Sequence, residues 1–157
     1  MPTKADFDAE MVSRVTSALL AAAKLSVLVD GTNPDTVGPL RWAYRILKMS
    51  PLTGVTITDS DLALVSFNQF LDLSDLGEYR LLQSVVSGLT KNRIQIGVNS
   101  IYFSDMRDAL IRRLAELAKG LNAKFGILTP SLVGATIDLN NVEPDDDDLS
   151  SDEQGGW

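Results

Sequence analysis

The sequence predicts a mainly α protein: a compact bundle of four to five helices with a short strand or hairpin and an extended C-terminal arm. Three observations predict it. Apolar residues recur at steps of three and four along four separate stretches, the period of a helix face. Turn formers and helix-capping residues separate those stretches. One stretch alone, Arg93 to Val98, alternates with the period of a strand. The 157 residues suit one domain, long enough to bury roughly 70% of its unfolded surface without a disulfide or metal. Hydrophobic residues make up 45% and charged residues 22%, a globular balance.

The first helix is carried by Phe7, Met11, Val15, Ala18, Ala22, Leu25 and Val29 on one face, with Asp8, Glu10, Arg14, Ser17 and Lys24 between them. Leu19, Leu20 and Leu28 widen the apolar stripe, so this helix should meet more than one neighbour. The run Asp30-Gly31-Thr32-Asn33-Pro34 stops it. A second helix begins at Asn33, with Pro34 at the first helical position, where its missing N–H costs nothing. It runs to about Met49, with Val37, Leu40, Tyr44 and Leu47 inward and Arg41, Arg45 and Lys48 outward. Gly38-Pro39 weakens its first turn, which would move the regular part toward Leu40.

Thr58-Asp59-Ser60-Asp61 reads as a helix start, because its oxygens can accept from unpaired N–H groups. A short helix, Leu62 to Phe67, leads into a longer one from about Gln69 to Leu89. Leu81, Leu82, Val85 and Val86 cover adjacent faces of that helix, which makes it the central, buried element. Gly77 within it either permits close packing or marks a kink. The strand Arg93 to Val98 turns Ile94, Ile96 and Val98 to one side. It would pair with Val55 to Thr58, with Leu132 to Leu139, or with another chain. Ser104-Asp105-Met106-Arg107 opens the last helix. Met106, Leu110, Leu114, Leu117, Leu121 and Phe125 form its inner stripe, and Gly126 is its stop. Residues 1–126 thus form a helical body and 127–142 an apolar arm. The acidic, low-complexity composition of 143–157 predicts a disordered tail.

Charge is unevenly placed along this plan. The net charge is −7, from 21 acids and 14 bases. Seven acids and no base lie between Glu143 and Trp157; subtracting seven from 21 leaves 14 acids against 14 bases in residues 1–142. The body is neutral and the tail carries the excess. Cysteine and histidine are both absent, which removes thiolate chemistry, the commonest general base and the usual zinc ligands. The acidic balance argues against a general nucleic-acid binder. Ala18 to Val29, the most apolar early stretch, is twelve residues with Lys24 inside it, against about 20 for a membrane span. Asp6, Asp8 and Glu10 precede it where a signal peptide would be basic, so cytosolic synthesis is expected.

Four constellations are candidates for chemistry or binding. Asp59/Asp61 and Asp72/Asp75 are carboxylate pairs suited to a hard cation or to acid–base work. Their plainer role is in helix first turns, where the macrodipole favours acids. No phosphate loop, nucleophile elbow or calcium loop accompanies them, so no enzyme, cofactor, metal or small-molecule substrate is expected. The last helix has a basic outer face, Arg107, Arg112, Arg113, Lys119 and Lys124, diluted by Asp105, Asp108 and Glu116. That face suits solvent or an acidic partner better than DNA, since no aromatics interleave. The tail, with Asp145, Asp146, Asp147, Asp148 and the terminal Trp157, suits a docking peptide with one apolar anchor. Trp42 and Tyr44, two residues apart, point to different faces; Tyr44 is expected in the core and Trp42 at an interface.

Three stretches, RWAYRILKM, TDSDLALVSFNQFLDLSDLGEYRLLQSVVSGL and RIQIGVNSIYFSDMRDALIRRLAELAKGL, resemble in order and type the small helical head–tail connector (adaptor) proteins of tailed bacteriophages. The resemblance covers roughly Val37 to Gly126. It lies in a bundle with a buried central helix, a polar interruption, and a basic-faced last helix followed by an arm. The polyacidic end lies outside it. The resemblance implies a structural virion protein, made in the host cytoplasm, that forms a twelve-fold homo-oligomeric ring beneath the portal protein at the capsid–tail vertex. Such a ring receives further neck or tail connector proteins, and DNA passes through its channel only as cargo, a path that excess acid keeps from sticking. The interface expected for it comprises Trp42, Arg93, Ile94, Ile96, Val98, the five cations of the last helix, and the arm residues Ile127, Leu128, Leu132, Val133, Ile137 and Leu139. No membrane is involved. The alternative is a small accessory or regulatory protein whose acidic tail serves as a docking peptide or DNA mimic covering the basic helix.

Overall fold

In a computed structural model of the chain, residues 1–49, 56–96 and 100–126 are described. They form six helices: α1 (Lys4–Val15), α2 (Ser17–Ala22), α3 (Pro34–Ile46), α4 (Asp59–Ala63), α5 (Phe67–Ile96) and α6 (Ser100–Phe125). The mainly α class is as expected; the count is one above the expected four to five, and α2 and α4 are short. The arm and tail, 127–157, lie outside the described residues.

Local chemistry sets most of the helix starts. Thr3 caps α1 in a reciprocal box with Asp6, and Thr58 caps α4 in the same way with Asp61. The Thr3 hydroxyl and N–H hold Asp6 below the usual carboxylate range, and the Thr58 N–H and hydroxyl do the same for Asp61. Asn33 caps α3 with Pro34 at N1, as the sequence predicts. The helix also runs unbroken through Pro39, so the expected delay to Leu40 does not occur. Ser66 and Gln69 form a third box, Gln69 Oε1 accepting from Ser66 N at 3.0 Å. It starts α5 at Phe67, two residues ahead of the expected position. Gly126 ends α6 with φ +63°.

The first expected helix is two. Thr16 ends α1 and caps α2 at φ +76°, a conformation a β-branched residue rarely adopts. The break shifts the apolar register, so Leu20 and Ala23 are buried while Ala18 is exposed. A second correction concerns Asp8, expected on the polar side and in fact 2% exposed. Its carboxylate accepts from Gly31 N at 2.9 Å, Asn33 N at 3.3 Å and the Thr36 hydroxyl. The loop between α2 and α3 folds back over α1 and, together with Thr36 of α3, supplies those donors, which offsets the cost of burying the charge.

A third correction concerns the strand. Residues Arg93, Ile94 and Ile96 continue α5 as helix, and no strand occurs among the described residues. Extending a formed helix adds one backbone bond for each residue fixed. A six-residue strand without a partner would leave its backbone groups unpaired. Val98, Val55 and the proposed partner Leu132 to Leu139 lie outside the described residues; of the other proposed partner, Val55 to Thr58, the described residues Thr56 to Thr58 form no strand, and Thr58 caps α4. The last helix starts at Ser100, ahead of the expected Ser104.

Helix α5 is the hub, packing against α1, α2, α3 and α6. Leu73, Leu76, Tyr79, Leu81, Leu82, Val85, Val86 and Leu89 are all buried along it, as a helix with neighbours on several sides requires. Each such leucine contributes on the order of 2 kcal/mol by leaving water. Gly77 and Gly88 set how closely the first helices approach. A Cβ at Gly77 would stand 2.6 Å from Phe7 Cζ, and one at Gly88 would stand 2.6 Å from the Ala23 carbonyl oxygen. Gly77 thus serves close packing of α1. Phe7 also meets Phe70 edge-on, with ring centroids 6.4 Å apart.

Candidate functional site

Two charged constellations flank α5. The first follows Asp72, Asp75 and Glu78, spaced three apart so that they lie along one side of the helix. Arg14 of α1 donates Nη1 to Asp75 at 2.9 Å and to Glu78 at 3.2 Å, and Nε to Glu10 at 2.7 Å. Arg113 of α6 donates Nη2 to Glu78 and, at 3.0 Å, to the Arg14 carbonyl oxygen. Lys124 of α6 pairs with Asp72 at 2.6 Å and Asp75 at 3.3 Å. Glu78 is buried between its two arginines.

This seam sorts several expected residues. Asp72 and Asp75 lie beyond the first turn of α5, so the macrodipole, confined to the helix ends, does not hold them; cations of α1 and α6 do. Burial alone would lower the pKa of Arg14, and the carboxylates of Glu10, Asp75 and Glu78 overcome that and hold it above its ordinary value. Asp72, with help from Asp75, likewise raises Lys124 against a smaller opposing effect of desolvation. Asp59 and Asp61 do stand in the first turn of α4, and Asp59 Oδ1 accepts from Lys4 N at 2.7 Å. No group of three or more metal-ligating side chains occurs among the described residues. No helix there is long and apolar enough to cross a membrane.

The basic face of α6 is therefore divided. Arg112 and Lys119 are exposed, while Arg113 and Lys124 are tied to α5. Arg107 is half-buried, and its Nε has no hydrogen-bond partner among the described residues.

The second constellation is a groove of about 400 Å³ between α3 and α5. Arg41, Trp42 and Arg45 of α3 line it with Arg80 and Ser84 of α5, over a floor that includes Pro39. At 100° per residue Arg80 lies about 140° around α5 from Asp75, so groove and seam occupy different sides. Arg45 and Arg80 are exposed. Arg80 Nη1 donates to Gln83 Oε1 at 2.9 Å. Trp42 is half-buried and lies against Tyr79, ring centroids 6.0 Å apart at 33°. Tyr44 is in the core, as expected, and burial pushes its phenol up to about 12. Its hydroxyl has no hydrogen-bond partner among the described residues.

Of the residues singled out from the sequence, Trp42 alone reaches the groove. The sequence places Arg45 on the outward side of its helix and does not single out Arg80; only the fold brings them to one groove. Glu10 and Arg14 at i, i+4 carry a visible pairing signal; Glu78 carries one only when read as the third member of the Asp72, Asp75, Glu78 stripe. Ile127, Leu128, Leu132, Val133, Ile137, Leu139, Asp145 to Asp148 and Trp157 lie outside the described residues.

In comparisons with known proteins, no family model, no curated protein sequence and no solved structure matches this chain.

Proposed function

We propose that the chain is a head–tail connector of a tailed bacteriophage: a non-enzymatic virion protein that forms a ring under the portal and links capsid to tail. The observation that carries this reading is the division of labour along the chain. The described residues of 1–126 share an apolar core, and the acids of α5 clamp α1 and α6. The apolar, β-prone composition of 127–139 suits contacts with other subunits. The ordered resemblance of Val37 to Gly126 to the connector family supports the same reading, as does the use of Asp72, Asp75 and Glu78 in pairing helices.

The alternative, in which the acidic tail covers the basic helix as a DNA mimic, draws less support from the geometry. Arg113 and Lys124 already have carboxylate partners on α5, which leaves a sparse face on α6.

Light scattering on the full chain, alone and mixed with portal rings, tests the proposal. A ring, or a portal-bound assembly lost on deleting 127–157, is the expected result. A chain that remains a small species and ignores the portal overturns it. Salt-dependent DNA binding that appears on deleting 143–157 would favour the alternative.

A further inference from the structure

We propose that residues 27–29, in the connection between α2 and α3, form an open strand edge on which the arm of a neighbouring copy, residues 132–139, adds a strand. The connection is bonded along one side. Ser26 N donates to Asp35 Oδ2 at 2.7 Å, and Asn33 Nδ2 donates to the carbonyl oxygens of Ser26 at 3.3 Å and Leu28 at 2.9 Å. Leu28 N donates to the Ser26 hydroxyl at 3.3 Å. Val27 and Val29, which alternate with them, make no backbone hydrogen bond among the described residues. In a strand, successive residues turn their N–H and C=O groups to opposite edges. The bonds of Ser26 and Leu28 therefore take up the edge toward α3, and the groups of Val27 and Val29 are left on the other. An unpaired row of this kind is a template for another chain. The side chains agree with it: Val27, Leu28 and Val29 are 44%, 47% and 48% exposed, three large apolar residues in succession at the surface.

The sequence carries a segment that matches this edge. Val133, Ala135, Ile137 and Leu139 alternate with Gly134, Thr136 and Asp138, the period of a strand with one apolar face. No proline interrupts 131–139, so each of its residues has an N–H to donate. In strand addition the backbone bonds supply affinity, and the apolar face of the arm covers Val27 and Val29 as cross-strand neighbours. From Gly126, the stop of α6, to Val133 is seven residues, a reach of up to about 25 Å, which lets the arm leave its own body. Edge and arm are different surfaces of one chain, so each copy gives one strand and receives one. Such a head-to-tail contact closes into a ring when its rotation closes. Strand donation rests on the ring proposed above and gives it a joining surface. With Arg93, Ile94 and Ile96 in helix, the edge at 27–29 takes the part expected of them.

Hydrogen exchange read by mass spectrometry on the full chain tests this, with light scattering to follow assembly, alone or on portal rings. The Val27 and Val29 amides should exchange at least about tenfold more slowly in the assembly than in the dilute single chain. The Ser26 and Leu28 amides, already bonded, should change little. The double variant Ala135→Pro and Thr136→Pro removes donors facing both edges of the arm and leaves residues 1–126 unchanged; in it the protection should be lost. Isotopically heavy chains of that variant, mixed with excess unmodified chain, should regain it, since their edge is intact and the arm comes from another copy. Slow exchange at Val27 and Val29 already in the dilute single chain overturns the proposal by assigning the edge to the chain's own arm. No recovery on mixing overturns it as well. Assembly with fast exchange at both amides removes the edge and leaves the ring standing, whereas failure to assemble, alone or with portal, removes both.

Discussion

Helix α5 carries charge on two of its sides, and the sides are built differently. Toward α1 and α6, Asp72, Asp75 and Glu78 meet Arg14, Arg113 and Lys124 within hydrogen-bonding distance, and Glu78 is withdrawn from water. Toward α3, Arg45 and Arg80 stand exposed at an open groove that Arg41, Trp42 and Asp35 also line. Charge of mixed sign drawn into a packed interface fixes the position of helices. Charge left exposed at the edge of a hollow contributes less to the position of helices. The same residue types therefore join helices on one side of α5 and lie exposed on the other.

The most severe way to break the contrast is Glu78→Ala. Removing one member of a buried ionic cluster leaves its partners uncompensated, and a loss of about 3 kcal/mol is expected in urea unfolding. A loss below 1 kcal/mol would mean that the seam holds nothing in place. Gly88→Ala should cost about 1–2 kcal/mol: its Cβ meets the Ala23 carbonyl oxygen, backbone that cannot swing aside, and the gain in helix propensity offsets only part of the overpacking. Thermal melts would show it, and a neutral result would mean that α2 can move away from α5.

Alkaline titration sharpens the comparison from both sides. Tyr44, on the buried face of α3, is raised to about 12 by burial and, secondarily, by Asp61, against about 10 in the unfolded chain. Its contribution to stability is complete below pH 10 and is lost as pH rises toward 12, because only the unfolded state ionises in that window. Lys124, raised by Asp72, loses its contribution in the same direction, above its unfolded value of about 10.4. Stability followed by urea midpoint should fall between pH 10 and 12. Tyr44→Phe should flatten part of that fall and, by removing a buried hydroxyl, add about 1 kcal/mol at neutral pH. Destabilisation by the same change would reveal a hydrogen-bond partner for that hydroxyl. The smallest effect belongs to Arg45→Ala and Arg80→Ala, expected within about 0.5 kcal/mol of the parent by urea unfolding. A large loss would place those arginines with the seam rather than opposite it.

Features governed by neighbouring residues were legible in the sequence. Asn33-Pro34 and Thr58 to Asp61 start α3 and α4 where capping chemistry puts them, and Gly126 stops α6. Leu81, Leu82, Val85 and Val86 marked the buried hub. Features governed by distant residues were not. Asp8 is buried because donors 23 to 28 positions away fold over it. The break at Thr16 places a threonine where local preference would put glycine, so nothing in its own stretch announces it. The isoleucine alternation at Ile94 and Ile96 matched a strand over too few residues to outweigh the helix already running into it. For the charged residues, type and spacing were visible but partners were not: Arg113 reads as solvent-facing on its own helix and becomes structural only against Glu78.

The bond from Arg113 to the Arg14 carbonyl oxygen joins positions 99 apart in the chain. A contact of that span carries a large loop-closure cost and is slow to form. It cannot exist until most of the polypeptide has been synthesised, so during translation α1 must wait with Phe7 and Met11 unburied until α5 emerges, and with Arg14 unclamped until α6 follows. Closure of the seam is then a late step, after the transition state for folding. Glu78→Ala should in that case speed unfolding while leaving the refolding rate nearly unchanged in stopped-flow measurements. The ionic clamp thereby sets how long the folded chain survives more than how fast it is reached.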